Sequence, residues 1–236
     1  MEVKIGLART RKFAANHCGD ACNFVERPRG GVSAILAEGQ GSSLAAAQTS
    51  RWVVNRAIAL LSEGGQDEAA VTAVHEELYD MRDKKASCML TLLSADQESE
   101  TMMICRNSAS PVIVWTEDYE TVYDEDTSAI GVHRHIKPFV YELPFSPGMI
   151  VVSYTDGIGH AGKKRTGREA DMEKILGIVR ANKAEDAGFI ATSILEYALS
   201  LDNEQPSDDM TVVVMGLAEN AEGASNIEQM EASCPI

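Results

Sequence analysis

The sequence predicts an α+β domain in which antiparallel sheets are layered against helices, and two observations carry this prediction. Strand-like and amphipathic helical runs are segregated along the 236 residues, in the order strands, two helices, strands, two helices and one strand. Such segregation favours a layered antiparallel domain over a doubly wound α/β sheet. Three runs are almost continuously apolar, at residues 32–37, 149–154 and 210–217, as expected of strands buried on both faces.

The chain is predicted to begin with one strand and a hairpin. Weak alternation of apolar and polar residues over 3–8 indicates the first strand. Two short strands at 23–27 and 32–37 flank the segment Arg-Pro-Arg-Gly-Gly at 27–31, whose composition is typical of a turn.

A pair of helices is predicted next. Ser42 or Ser43 can cap the first helix, and Glu63-Gly64-Gly65 contains the glycines that commonly end one. Apolar residues recur at helical spacing between these points, and the pattern repeats over 67–82. We therefore expect two antiparallel helices that pack on a sheet.

The second half of the chain is predicted to contain a strand-rich region and a second helix pair. Short β-rich runs separated by polar or proline-containing turns predict an antiparallel meander, at 87–94, 101–106, 112–116 and near Thr121. Further strands are predicted at 136–143, 149–154 and 210–217, and helices at 168–180 and 184–201. We expect a single domain over 1–218, followed by a flexible acidic tail at 219–236.

The composition restricts the class of partner. Lys and Arg total 21 against 36 Asp and Glu, a formal net charge of -15, which disfavours nucleic acid or an anionic membrane as a partner. Five cysteines without a CxxC pair indicate neither a disulfide framework nor a zinc site. With no signal-peptide pattern and no membrane-spanning apolar run, we expect a cytoplasmic protein.

Four acidic residues are the strongest candidates for a functional site. Asp20 precedes the predicted strand at 23–27, Glu38 ends the strand at 32–37, Asp156 follows the strand at 149–154, and Asp208 precedes the last strand. One acid beside a glycine predicts no more than a turn. Four of them at strand boundaries can converge at one edge of the fold, where carboxylates tolerate each other only if cations neutralise them.

Hard oxygen ligands with open positions favour Mg²⁺ or Mn²⁺, which keep several waters. Two such ions about 3.5–4 Å apart can clamp a phosphoryl group and activate a water. The acids therefore point to metal-assisted hydrolysis of a phosphate ester. A nucleotide substrate is the weaker alternative, because the chain has no glycine-rich phosphate loop with a lysine.

With these motifs, the sequence resembles the metal-dependent Ser/Thr protein phosphatases (the PPM family), in the bacterial branch of the sporulation protein SpoIIE and the Rsb stress-response phosphatases. The matching motifs are Gly19-Asp20, Ala37-Glu38-Gly39-Gln40-Gly41, Tyr154-Thr155-Asp156-Gly157 and Asp208-Asp209-Met210-Thr211-Val212. The resemblance spans about residues 3–217. It implies a four-layer α-β-β-α sandwich, in which two facing antiparallel sheets are flanked by helix pairs.

The resemblance also implies a role for each acidic residue. Glu38 would bridge two Mn²⁺ or Mg²⁺ ions, and the carbonyl of Gly39 would hold one ion through water. Asp156 and Asp208 would bind the first metal ion, and Asp20 the second through water. A metal-bridging hydroxide would then attack phosphoserine or phosphothreonine in line, and a metal-bound water would supply the proton for the leaving alkoxide.

Three positions depart from or extend the family pattern. Asp209 stands where relatives have Asp or Asn, and would support the metal ligands. The bridging acid is usually Asp, and Glu38 is one methylene longer. Eukaryotic members carry a His where this chain has Gln40, and an N-terminal phosphate-gripping Arg, a role that we assign to neither Arg9 nor Arg11.

The implied substrate is a phosphorylated bacterial regulatory protein, of the anti-sigma-factor antagonist or stressosome type. The helix pair carrying Trp52 and Leu78 is most simply part of the core, and alternatively forms a regulatory or dimer surface. A homodimer is therefore possible. Glu38 supports a rival interpretation, a catalytically impaired phosphatase-like binding module.

Other polar residues carry weaker hypotheses. His133 and His135 are expected on a solvated surface, because a zinc site needs more ligands than these two. His17 and His160 lie close to the candidate acids in sequence, and each is expected to be a neighbour rather than a proton donor. The basic run Lys163-Lys164-Arg165 is expected to be a solvated loop, with the alternative that it holds a phosphoprotein.

Overall fold

The structure is a computed structural model that describes residues 1–41, 43–81 and 86–219. Three sequence predictions fall outside these ranges: the cap at Ser42, the end of the second helix at Arg82, and all but the first residue of the 219–236 tail. None of the described helices combines the length and apolarity needed to cross a membrane.

The described residues form ten strands and two main helix pairs. The strands, in chain order, are β1 (Glu2–Thr10), β2 (Asp20–Glu26), β3 (Gly31–Gly39), β4 (Cys88–Asp96), β5 (Thr101–Asn107), β6 (Val112–Trp115), β7 (Glu120–Tyr123), β8 (Phe139–Pro144), β9 (Ile150–Tyr154) and β10 (Met210–Ala218). The helices are α1 (Ser43–Ser62), α2 (Asp67–Met81), α3 (Asp156–Gly159), α4 (Lys163–Thr166), α5 (Met172–Arg180) and α6 (Ala187–Leu201).

The strands form two five-stranded antiparallel sheets. The first sheet has the order β1-β10-β9-β6-β7, and the second has the order β2-β3-β4-β5-β8. Helices α1 and α2 pack on the outer face of the second sheet, and α5 and α6 pack on the outer face of the first. The predicted four-layer α-β-β-α sandwich is therefore confirmed.

Three apolar clusters separate the four layers, and this explains the continuously apolar strands. In β10, Val213 and Met215 belong to the cluster between the two sheets, whereas Val212 and Val214 belong to the cluster beneath α5 and α6. A third cluster joins the second sheet to α1 and α2. Because both faces of β10 are covered, all of its residues are buried and the strand has no polar alternation.

The predicted meander is wrong in its pairing. The runs predicted at 87–94 and 101–106 pair with each other in the second sheet, but those at 112–116 and near Thr121 belong to the first. Turn composition indicates where a strand ends, but the choice of sheet depends on pairing with distant strands such as β8 and β9.

Element bounds differ at three places in the second half of the chain. The helix predicted at 168–180 begins at Met172, because the Asp171 side chain caps it by accepting a hydrogen bond from the Glu173 backbone N–H. The helix predicted at 184–201 is a 3₁₀ turn at Ala184–Asp186 followed by α6. The short helices α3 and α4 were not predicted.

Candidate metal centre

The second sheet brings two of the candidate acids directly together. Asp20 is the first residue of β2 and is paired with Glu38 of β3 in the antiparallel register. Side chains at such paired positions have Cβ atoms about 4.5–5.5 Å apart. The sequence predicted Asp20 before its strand and Glu38 at a strand end. In the structure β2 begins at Asp20, and β3 continues one residue past Glu38, where Gly39 pairs with Cys88 of β4.

The first sheet supplies the other two acids from neighbouring strands. Asp156 begins α3, one residue beyond the end of β9 with Thr155 between them, and Asp208 lies two residues before β10. β9 and β10 are paired, with Tyr154 opposite Val212. A Cβ on Gly157 would collide with the Asp209 carbonyl oxygen, so only glycine lets these two segments approach so closely.

Two threonines connect the sheets through Asp20. Thr155 Oγ1 and Thr211 Oγ1 each donate a hydrogen bond of 2.8 Å to Asp20 Oδ2. Both threonines are buried, and Asp20 is only 4% exposed. Thr155 Oγ1 also accepts from the Thr211 backbone N–H at 3.0 Å, so the hydroxyls are held in place by β10. These bonds fix the Asp20 carboxylate at the junction of the two sheets.

A cavity of about 380 Å³ lies between the acids. All four candidate acids line it, together with Gly39 and Asp209. The remaining lining residues are Lys12, Ala15, His17, Gly19, Gln40, Gly41 and Ala46. The structure therefore brings every predicted site residue to a single cavity at one end of the sandwich.

Burial and neighbouring negative charges raise the pKa of three carboxyl groups in the cavity. The pKa of Glu38 is raised to about 8, mainly by burial and in addition by the charges of Asp156 and Asp20. Burial also raises the pKa of Asp20 to about 7, although the two threonine hydrogen bonds oppose the shift. The pKa of Asp156 is raised by burial and then by the charge of Asp208. A cavity that shifts carboxyl groups in this direction favours the approach of positive charge.

Basic side chains do little to neutralise these carboxyl groups. Among the described residues, neither Asp20 nor Glu38 forms an ion pair with Lys, Arg or His. Asp208 has a loose partner, Lys164, with 3.8 Å between Nζ and Oδ2. Within the same ranges, no three His, Cys, Asp or Glu side chains are already gathered as a ready-made metal site. The carboxylates thus surround a cavity rather than closing on one point, and their donor type and uncompensated charge fit Mg²⁺ or Mn²⁺.

Asp209 has a structural position distinct from the four candidate ligands. Its Oδ1 accepts from the Lys12 backbone N–H at 2.8 Å, and its Oδ2 accepts from the Gly19 backbone N–H at 2.6 Å. The Gly19 carbonyl in turn accepts from the Gly39 N–H at 3.0 Å. Asp209 therefore fastens the loop between β1 and β2 beside the cavity.

The histidines and the basic run, which were the weaker candidates, lie in different places. His17 lines the 380 Å³ cavity, and His160 lines a smaller adjoining cavity with its Nδ1 3.7 Å from Asp156 Oδ2. His133 and His135 are exposed, away from both cavities. The basic run forms α4, so the loop predicted there is a helical turn.

Sequence reasoning missed residues that hold or line the site without being acidic. Thr155 and Thr211 belong to the motifs around Asp156 and Asp208, but their hydroxyls point to Asp20, far away in sequence. Lys12 reaches the cavity through the loop that Asp209 fastens. The local signal for the threonines was weak: Thr155 precedes Asp156 and Thr211 lies two residues after Asp209, and closeness to an acid is by itself typical of a turn.

Comparison with known families gives one match over most of the chain. Residues 28–218 match the family model described as stage II sporulation protein E (SpoIIE). The chain is also 20% identical over 218 residues to stage II sporulation protein E of Bacillus subtilis strain 168. That alignment covers 92% of this chain and 26% of the relative, so the chain spans about a quarter of its length.

Solved structures share the fold at low sequence identity. The structure of the PP2C phosphatase domain and a fragment of the regulatory domain of SpoIIE from Bacillus subtilis has a TM-score of 0.75 at 19% identity, and the match covers 92% of this chain and 63% of that one. RsbX in complex with magnesium has a TM-score of 0.72 at 14% identity, covering 92% and 96%. The catalytic domain of the phosphatase PstP in complex with two manganese ions has a TM-score of 0.71 at 16% identity, covering 92% and 99%.

Proposed function

Since the chain belongs to the stage II sporulation protein E family, we propose that it is a metal-dependent phosphoprotein phosphatase that hydrolyses phosphoserine and phosphothreonine. The observation that carries this proposal is the cavity in which carboxylates from both sheets meet. We also propose that residues 1–218 form one catalytic domain, because all ten described strands contribute to the sandwich that builds this cavity.

The residues fit two divalent ions of the kind that RsbX and PstP hold, magnesium or manganese. Asp156 and Asp208 would hold one ion, Asp20 the other through water, and Glu38 both, with the Gly39 carbonyl as a further oxygen donor. Bound ions would neutralise the carboxylates and supply the Lewis acidity that makes water a nucleophile at neutral pH. Glu38 lies within β3 and lines the cavity, so its carboxylate is placed to contact such ions.

The chain's own residues hold the ligands in place. The Thr155 and Thr211 hydroxyls keep Asp20 Oδ2 as an acceptor of two hydrogen bonds, so its other oxygen is the one available to the cavity. Asp156 donates its backbone N–H to Glu38 Oε2 at 3.3 Å, which links the acid of one sheet to the chain of the other. Such outer contacts orient ligands and typically matter about 10–100-fold for metal affinity or activity.

We propose that the substrate is a bacterial regulatory phosphoprotein, such as an anti-sigma-factor antagonist or a stressosome protein. Family membership supports this choice. A protein substrate also suits a cavity that opens at the end of the sandwich. A homodimer stays a prediction.

Hydrolysis of p-nitrophenyl phosphate with added Mn²⁺ tests the proposed activity. We expect turnover by the wild type, and losses in Asp156→Asn and Asp208→Asn beyond the roughly 10–100-fold typical of outer contacts. Phosphoserine and phosphothreonine peptides should be hydrolysed in preference to phosphotyrosine peptides. Asp118→Asn, which removes an exposed carboxylate from the turn between β6 and β7, is the matched control and should retain wild-type turnover.

The same assay distinguishes an active phosphatase from the rival interpretation, a catalytically impaired binding module. Glu38→Asp restores the residue that is usual at this position in the family. Absence of turnover in the wild type, with no rescue by Glu38→Asp, would overturn the enzymatic proposal and favour a binding module that acts by protein contact.

A further inference from the structure

A second cavity of about 100 Å³ adjoins the carboxylate cavity and differs from it in charge. The two cavities share Asp156 and Asp208. Unlike the larger cavity, the smaller one is also lined by Lys163 and Lys164 of α4, and by His160. In a chain with a formal charge of -15, two adjacent ammonium groups beside an acidic cavity form a local positive wall.

This wall is built on a cross-linked scaffold. The buried Asp202 accepts hydrogen bonds from the Gly162 N–H at 2.9 Å and from the Ser207 N–H at 2.6 Å, so it joins the start of α4 to the segment before β10. Lys164 Nζ donates to the Ser207 carbonyl at 3.0 Å across the same gap. The ammonium groups are therefore carried by a fixed turn rather than by a loose loop.

Arg165 contributes to the scaffold and not to the cavity. Its Nη2 donates to the Gln205 carbonyl oxygen at 3.3 Å and to Gln205 Oε1 at 3.0 Å, and it does not line either cavity. The three basic residues of the run thus divide into one structural arginine and two lysines that face the smaller cavity.

Both lysines can exchange their present partners for an anion from outside. Lys163 pairs with Glu169 at 2.6 Å, but the two side chains are 58% and 50% exposed. Lys164 is 62% exposed, and its Nζ lies 3.8 Å from Asp208 Oδ2. The bond to the Ser207 carbonyl uses one of its three N–H donors and leaves the others available. Exposed pairs of this kind hold their partners weakly, so a competing carboxylate can replace them at little cost.

We propose that Lys163 and Lys164 bind an acidic side chain that flanks the phosphorylated residue of the substrate, and so select acidic phosphorylation sites. This inference rests on the proposed phosphatase function. The phosphoryl group itself belongs in the larger cavity with the carboxylates, which the lysines do not line. Residues of an extended peptide follow one another at about 3.3–3.6 Å, so a neighbouring side chain falls within the adjoining cavity.

The test uses three synthetic phosphoserine peptides whose flanking residues on both sides are Glu, Gln or Lys. Turnover is measured with Mn²⁺ as kcat/KM, and binding is measured separately with non-hydrolysable phosphonate analogues. The wild type should prefer the Glu peptide to the Gln peptide by about two- to fivefold, the upper part of the range that one exposed ion pair supplies. Lys164→Ala should abolish most of this preference, and Lys164→Glu should reverse it in favour of the Lys peptide.

Glu169→Gln should change the preference for the Glu peptide in the opposite direction to Lys164→Ala. It frees Lys163 from its present partner, so the preference for the Glu peptide should increase about twofold. The matched control is the double variant Lys4→Ala/Arg29→Ala, which removes two positive charges at the far ends of β1 and of the β2–β3 hairpin. It should keep the wild-type preference.

Two results would overturn the inference. One is a wild type without charge preference, and the other is a Lys164→Ala variant that raises KM equally for all three peptides. If neither the peptides nor p-nitrophenyl phosphate are hydrolysed, the proposed function fails, and the phosphonate analogues still decide the subsite. Charge-dependent binding that Lys164→Glu reverses would support it, and binding indifferent to flanking charge would refute it.

Discussion

Asp20 is buried and Glu38 is half-buried opposite it, and neither has a cationic partner among the described residues. This arrangement costs stability in a metal-free protein. Their pKa values of about 7 and about 8 lie well above the ordinary values of 3.8 and 4.5. Each group therefore takes up a proton on folding near neutral pH. A cation bound between these groups would favour their ionised forms and so remove this cost.

The first prediction concerns pH and stability. Because the folded pKa values are raised, the stability contributed by protonated Asp20 and Glu38 is fully present below their unfolded values and is lost as pH rises through about 7 and 8. Metal-free protein in a chelator should therefore unfold at a higher urea concentration at pH 6 than at pH 9. We expect a difference on the order of a few kcal/mol in the free energy of unfolding.

The double variant Asp20→Asn/Glu38→Gln is the control for this assignment. It cannot titrate at either position, so the difference between pH 6 and pH 9 should largely disappear. A variant that kept the full difference, or a wild type more stable at pH 9, would show that the carboxyl groups are not strained as the geometry indicates.

The second prediction concerns Thr211, whose hydroxyl supports Asp20 from the other sheet. Thr211→Val removes one hydrogen bond to Asp20 Oδ2 while conserving shape, so the carboxylate should be oriented less firmly. Mn²⁺ affinity, measured by calorimetry, should fall by about 10–100-fold. The control is Thr91→Val, at a buried position of β4 outside the cavity lining. Equal losses in both variants would assign the effect to the core rather than to Asp20.

At the scale of elements, glycines set how closely the helical layer approaches the first sheet. A Cβ on Gly216 of β10 would collide with the carbonyl oxygen of Ala184, in the 3₁₀ turn before α6. Gly6 of β1 is in the same situation with respect to Ala187. At these two points the helical layer therefore contacts the sheet through backbone atoms, with no side chain between them.

The third prediction follows from this contact. Gly216→Ala should lower the free energy of unfolding by about 1–3 kcal/mol, the usual cost of overpacking. Gly177→Ala in α5 is the matched control, because its Cβ would meet nothing within 4 Å and alanine is the better helix former. It should raise stability by about 0.5–1 kcal/mol. Chemical unfolding measures both, and similar effects of the two substitutions would contradict the contact.

Elements with a strong local pattern were predictable, and those defined by distant contacts were not. The continuous apolar run of β10 and the helical spacing of apolar residues in α1 identified their elements, because burial on both faces or on one face leaves a local pattern in the sequence. The assignment of β6 to the first sheet depends on its pairing with β9, some 35 residues away, and leaves no local mark. The short helix α4 has no apolar stripe, so composition alone indicated a loop.

The same division holds at the site. The acids could be named because their motifs are specific in combination, and they line one cavity. Their supports could not be named, since the bond from Thr211 to Asp20 joins residues 191 positions apart. The separate roles of Lys164 and Arg165 likewise depend on the fold of the segment before β10.

At the scale of the whole molecule, the candidate site is a seam between two sheets. Asp20 and Glu38 come from the second sheet, and Asp156 and Asp208 from the first. Like charges face each other across this seam, so their repulsion acts to separate the ends of the sheets, and the threonine bonds to Asp20 oppose it. Cations bound between the sheets should therefore stabilise the whole sandwich, beyond any effect on chemistry.

The last prediction tests this coupling through unfolding rather than turnover. Mn²⁺ at about 100 times its Kd should raise the free energy of unfolding by about 2.7 kcal/mol per site, since only the folded chain gathers the four acids. Asp156→Asn should lose most of the increase, although relief of repulsion makes the metal-free variant at least as stable as the wild type. Asp118→Asn should keep it. Thermal unfolding with Mn²⁺ or with chelator measures these differences, and an equal Mn²⁺ effect in Asp156→Asn would place the ions elsewhere.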